Sequence, residues 1–119
     1  MSFEIIVTSE FETDLKKLRK KLSKKKQSID QSFETLINQL SKNPFIGDVV
    51  SNCGLQQGEV RKIRLPIAGR GGKSYGARLI CYIVKEDDKL FLIAIYDKAD
   101  SADMSRNDIK AICNAINSE

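Results

Sequence analysis

The residues best suited to chemistry are cations of the second half of the chain: Lys62, Arg64, Arg70, Lys73, Arg78 and Lys98, interleaved with Tyr75 and Tyr96. Arginine offers a fork of donors matched to phosphate, and tyrosine offers a ring on which a base can stack. Spacing adds to composition. Residues 60–65 read as a strand, and successive strand side chains point to opposite faces. Lys62 and Arg64 therefore share one face, while Arg61 shares the other with Ile63 and Leu65. Arg78, Tyr96 and Lys98 also occupy even positions on their strands, so aligned registers would gather them beside Lys62 and Arg64. Sequence alone does not set register. Such a set suits a nucleic-acid backbone and its bases. The alternative is a set of cations that only solubilises an exposed sheet face.

Other chemistries are less well served. The chain has no histidine, and its three cysteines are widely spaced with no CxxC pair, so neither a metal site nor a cofactor is expected. Without histidine, proton transfer near neutral pH falls to lysine, tyrosine, cysteine, arginine or carboxylates. The segment IAGRGGKS, residues 67–74, imitates a nucleotide-binding loop but lacks its first glycine and runs into a strand pattern, not a helix. It reads instead as a hairpin loop that presents Arg70 and Lys73, its glycines allowing close backbone approach to a partner.

The elements that position these residues follow from periodicity. The 119 residues suit one domain, 1–119. Residues 3–7 read as a short strand. Ser9 and Glu12 have capping-box spacing, and Phe11, Leu15, Leu18 and Leu22 form one apolar stripe. Ser28 to Gln31 repeats the capping pattern before a second stripe, which ends at Asn43-Pro44. The intervening Lys24-Lys25-Lys26 reads as a solvated helix-to-helix turn, with phosphate contact as the alternative. Residues 45–58 read as a loop held down by Phe45, Val49 and Val50. Strands at 60–65, 76–84 and 90–97 follow, the last two apolar on both faces and therefore central. Glu86 to Lys89 makes a tight turn, and the segment 101–105 offers caps for a last helix with Ile109, Ile112 and Ile116 inward. The order β-α-α-β-β-β-α predicts an α+β fold, a two-helix hairpin on a mainly antiparallel four-stranded sheet, with a short C-terminal helix on an edge or on the other face. The N-terminus carries acids and no basic leader pattern, and no apolar run approaches the length of a membrane span, so a cytoplasmic protein with no membrane partner is expected.

Four segments carry a resemblance: FETDLKKL, LQQGEVRKIRLP, GRGGKSYGARLICYIV and FLIAIYDKAD. In this order they resemble toxins of the RelE/ParE superfamily, most closely the HigB branch. The resemblance implies two helices on a curved antiparallel sheet and an antitoxin partner. RelE-like members bind the ribosomal A site and cleave mRNA there, whereas ParE relatives poison DNA gyrase without cutting RNA. The family's two cations before the loop fall on Lys62 and Arg64, its arginine opening the next strand on Arg78, and the cation closing the last strand on Lys98. Many relatives place a catalytic Tyr or His near the C-terminus. This chain has neither after Tyr96, which leaves Tyr96 to serve. Arg61, Arg70, Lys73 and Tyr75 are then the expected RNA contacts. On this reading the protein is a metal-independent endoribonuclease acting with ribosome and mRNA. Clustered cations would lower each other's pKa, so that Lys62 could take the 2′-OH proton, and Arg64 and Arg78 would stabilise the phosphorane.

Overall fold

A computed structural model describes residues 3–51, 53, 58–70, 76–100 and 103–118. The elements are β1 (Glu4–Val7), α1 (Ser9–Ser23), α2 (Asp30–Lys42), β2 (Asp48–Val49), β3 (Glu59–Leu65), β4 (Ala77–Val84), β5 (Lys89–Asp97) and α3 (Arg106–Asn117). The α+β class and the helix hairpin are as expected. The sheet is not four-stranded: it has five strands in the order β1-β5-β4-β3-β2. The additional strand, β2, lies inside the segment read as a loop. It is two exposed residues long and pairs with only Arg61 and Lys62, too short to leave a periodic signal. The sheet is also mixed, because β1 runs parallel to β5. The hairpin α1–α2 carries the chain across one face to the far edge. Three antiparallel strands then return it, so the last must run alongside the first in the same direction.

Each face of the sheet has its own core. Leu15, Leu18, Leu22, Leu36 and Leu40 of the hairpin pack on Ile63, Leu65, Leu79, Cys81 and Ile83. On the other face Ile109 and Cys113 of α3 pack on Val60, Ile80, Tyr82, Ile93 and Ala94. Hence α3 covers part of the second face, and β4 and β5 are central, as their apolar runs predicted. Burial raises the Cys81 and Cys113 thiols to about 12, which keeps them protonated core residues. The segment after α2 is less tightly held than expected. Val49 is exposed, and Phe45 meets Phe3 edge-on beneath the cations of Arg61 and Lys85.

The caps differ from the sequence reading by one residue at α1. Thr8, not Ser9, caps the helix: its hydroxyl accepts from the Phe11 amide at 3.2 Å and donates to the Leu92 carbonyl at 2.7 Å. Thr8 thus ties the helix start to β5, which an exposed Ser9 does not. At α2 the cap position is Ile29, and Ser28 instead accepts from the Asp30 amide at 3.1 Å. Ser28 is held back by two backbone hydrogen bonds to Ala68. Ser105 caps α3 by accepting from the Asp108 amide.

One ion network fastens α1 to the end of β5. Asp97, 4% exposed, accepts from both terminal nitrogens of Arg70 at 2.8 and 2.7 Å, from Lys21 at 2.9 Å and from the Ala99 amide at 3.0 Å. The Arg70 guanidinium, with help from Lys21, holds the Asp97 carboxyl well below the usual carboxylate range. A carboxyl with a depressed folded-state pKa stabilises the fold above its unfolded value of about 3.9 and loses that contribution as pH falls further. Asp97→Asn is therefore expected to lower unfolding stability by about 3 kcal/mol at pH 7, as removal of one partner of a buried pair does. The gap to the parent should narrow in acid below pH about 4. Urea unfolding across pH checks this, and a gap that stays constant into strong acid would contradict it.

Candidate functional site

Strand register assembles the site. Arg64 pairs with Arg78, and Arg78 pairs with Tyr96, so these three residues stand abreast on β3, β4 and β5. Two positions further along the strands, Lys62 lies opposite Ile80 and Ala94. Alignment depends on an irregularity between Ile80 and Cys81, where the partner on β5 jumps from Ala94 to Leu92. This bulge turns both Ile93 and Ala94 toward the α3 face. Before the bulge the odd residue Phe91 packs on that face; after it the even residue Tyr96 does. The bulge therefore lets β5 fill the core with Phe91 and still present Tyr96 beside Arg78.

Arg78 is 8% exposed, and its one hydrogen bond among the described residues goes to the Ala77 carbonyl at 3.2 Å. Arg64 is exposed. Neither guanidinium has a carboxylate partner among the described residues. A nearly buried cation without a counter-ion is costly, and the arrangement leaves an electrostatic demand for an anion.

Sequence reasoning missed Asp103. Its carboxylate accepts from the Tyr96 hydroxyl at 3.0 Å and lies 3.3 Å from the Lys98 ammonium and 3.5 Å from that of Lys62. The Met104 amide donates to the Tyr96 oxygen at 3.4 Å. Burial first, and the bond to Asp103 second, push the Tyr96 phenol up to about 12. At neutral pH it is a proton donor. Asp103 itself is shifted down: burial opposes the shift, and the Tyr96 hydroxyl, Lys98 and Lys62 outweigh it. Asp103 sits in a connection before α3, where a lone acid after DKAD gives no periodic or motif signal. Only the fold returns it to the sheet.

The other predicted residues lie elsewhere. Arg61 projects to the hairpin face, bound to Glu59 at 2.6 Å and to the Gly47 carbonyl at 3.0 Å, over the Phe45 ring. Arg70 is engaged with Asp97 and with Gln27 at 3.0 Å, on the same face. The structure therefore separates Arg61 and Arg70 from Lys62, Arg64, Arg78, Tyr96 and Lys98. Lys73 and Tyr75 lie outside the described residues.

The hairpin and the sheet are also what comparison with known proteins picks out. A family model for the ParE toxin of the type II toxin–antitoxin system parDE matches residues 5–101, from within β1 to beyond Lys98. The match takes in both arginines, Lys62, Tyr96 and Lys98, and stops short of Asp103 and α3. With most of its length matched, this chain belongs to that family of type II toxins, within the RelE/ParE superfamily.

Proposed function

We propose that the protein is a ribosome-dependent mRNA endonuclease, closer in activity to the HigB and RelE-like toxins than to gyrase poisons. The observation that supports this reading is the row Arg64, Arg78 and Tyr96 on three adjacent strands, with both guanidiniums free of carboxylate partners among the described residues. In-line attack by a ribose 2′-oxygen forms a new P–O bond and breaks the bond to the 5′-oxygen. Lys62, as the neutral amine, is the group proposed to take the 2′-OH proton. Tyr96, protonated at neutral pH, gives its proton to the leaving 5′-oxygen. Arg64 and Arg78 stabilise the charge of the phosphorane. Lys98 holds a neighbouring phosphate. Arg61, Arg70, Lys73 and Tyr75 would contact RNA only beyond this centre, and the first two only by leaving their present partners. A site made mainly of cations depends on a substrate already held near in-line geometry, which a ribosome supplies.

Asp103 occupies the place of an anion between Lys62 and Lys98, so substrate phosphate has to displace it. Asp103→Asn should tighten binding of a 2′-deoxy mRNA analogue several-fold on programmed ribosomes. Weakened binding would mean that Asp103 organises the site instead of screening it.

A type II toxin works with an antitoxin. We place this partner across the basic face or the helix hairpin, where an acidic or amphipathic segment would silence the cations. The second reading is a gyrase inhibitor that cuts no RNA, and the ParE description of the matching family favours it. Pulse labelling after induced expression separates the two. Protein synthesis falling before DNA synthesis supports the nuclease, and the reverse order supports gyrase.

A further inference from the structure

Charge is distributed very unevenly along this chain. Eight of its 20 Lys and Arg, and none of its 16 Asp and Glu, lie between residues 16 and 26. That stretch carries +8, and the remaining 108 residues carry 12 cations against 16 acids, a net −4. The net positive charge of the protein therefore comes from the second half of α1 and the turn after it. Phe11, Leu15, Leu18 and Leu22 point into the core, so Lys16, Lys17, Lys20, Lys24, Lys25 and Lys26 are left on the outside, all exposed. Of the eight cations only Arg19, with Asp30, and Lys21, with Asp97 and Asp100, form ion pairs among the described residues. The helix C-terminus favours cations, but its dipole amounts to only about half a charge and cannot account for six.

The stripe is separate from the site described above, since α1 lies on the opposite face of the sheet from Arg64, Arg78 and Tyr96. It is anchored at the same end of the molecule. Ser28 and Ala68 exchange backbone hydrogen bonds of 3.0 and 2.8 Å, and Gly69, at φ +86°, fits against the Lys26 carbonyl where a side chain would collide. The lysine turn is therefore fixed beside the start of the β3–β4 loop.

We propose that this stripe is a docking surface for the phosphate backbone of a nucleic-acid duplex. Lys16 to Lys24 span about 12 Å of helix axis. A B-form duplex carries one charge per about 1.7 Å, or about seven phosphates over that length, close to the six unpaired lysines. The one arginine of the stretch, Arg19, is paired with Asp30, and the six lysines make point-charge contacts that do not read sequence. A membrane surface fits less well, because every large apolar residue of α1 is buried and none is left to insert. A protein interface would likewise lack an exposed apolar or aromatic anchor.

The test is fluorescence anisotropy with the full chain and labelled duplex RNA or duplex DNA, from 50 to 200 mM salt. The stripe variant is Lys16→Gln, Lys20→Gln, Lys24→Gln and Lys25→Gln; the control removes equal charge through Lys42→Gln, Lys85→Gln, Lys89→Gln and Lys110→Gln. Glutamine keeps helix propensity. The stripe variant should lose at least about tenfold in affinity, and its log–log salt slope should flatten by about 3 to 4. The control should change less than about threefold. Tighter binding of the RNA or of the DNA duplex supports the surface and identifies its source. Parent-like binding by the stripe variant, an equal loss in the control, or no duplex binding at 50 mM salt overturns the proposal. Because only binding is read, the outcome is independent of whether the sheet face cuts RNA.

Discussion

Arg78→Met is expected to lower ribosome-dependent mRNA cleavage by about 10²–10³-fold, the usual loss when one donor to a developing oxyanion is removed. The same variant should melt at or above the temperature of the parent. Arg78 is almost buried, yet no described carboxylate balances its charge. Its removal therefore orphans no acid, and methionine fills much of the volume of the arginine stem without the cost of a desolvated charge. A residue kept at the expense of stability is characteristic of a binding or catalytic site. Thermal melts and cleavage rates on the same preparation decide the matter. A variant that is folded and fully active, or one that is inactive because it has unfolded, would remove Arg78 from the role assigned to it.

Tyr96→Phe should reduce cleavage by about 10²-fold or more, the lower range for loss of a positioned general acid. Only the hydroxyl is removed, and its bonds to Asp103 and the Met104 amide are worth about 1 kcal/mol of stability in total. The ring stays against the α3 core. The variant should bind programmed ribosomes as tightly as the parent, since the phenol is assigned to the leaving group and not to affinity. If growth arrest survives Tyr96→Phe undiminished, proton donation by Tyr96 is wrong, and a binding poison becomes the better account.

Legibility in the sequence varied with the range of the interaction. The helices declared themselves because Phe11, Leu15, Leu18 and Leu22 repeat locally, and β4 and β5 because long apolar runs mark buried strands. Parity correctly placed Lys62 and Arg64 on the face opposite Ile63 and Leu65. It suggested but could not establish the row with Arg78 and Tyr96, because that row depends on the bulge at Ile93 and Ala94. What stayed hidden is non-local. The parallel pairing of β1 with β5 and the two-residue β2 are consequences of chain path, not of pattern. Asp103 reaches the lysines only through the connection before α3. Arg70 carries the same side chain as Arg78, but Asp97 lies beside it, and composition cannot tell a paired arginine from an unpaired one.

We propose that the sheet face cuts mRNA on the ribosome without a catalytic ion. The most direct measurement incubates the purified protein with programmed ribosomes and reads the mRNA by primer extension. Parallel reactions contain naked RNA, EDTA at levels that spare the ribosome, and DNA gyrase with relaxed plasmid. The proposed nuclease activity predicts discrete cuts in ribosome-bound mRNA with EDTA present, nearly intact naked RNA, and unimpaired supercoiling by gyrase. Intact mRNA on ribosomes together with blocked supercoiling would contradict it.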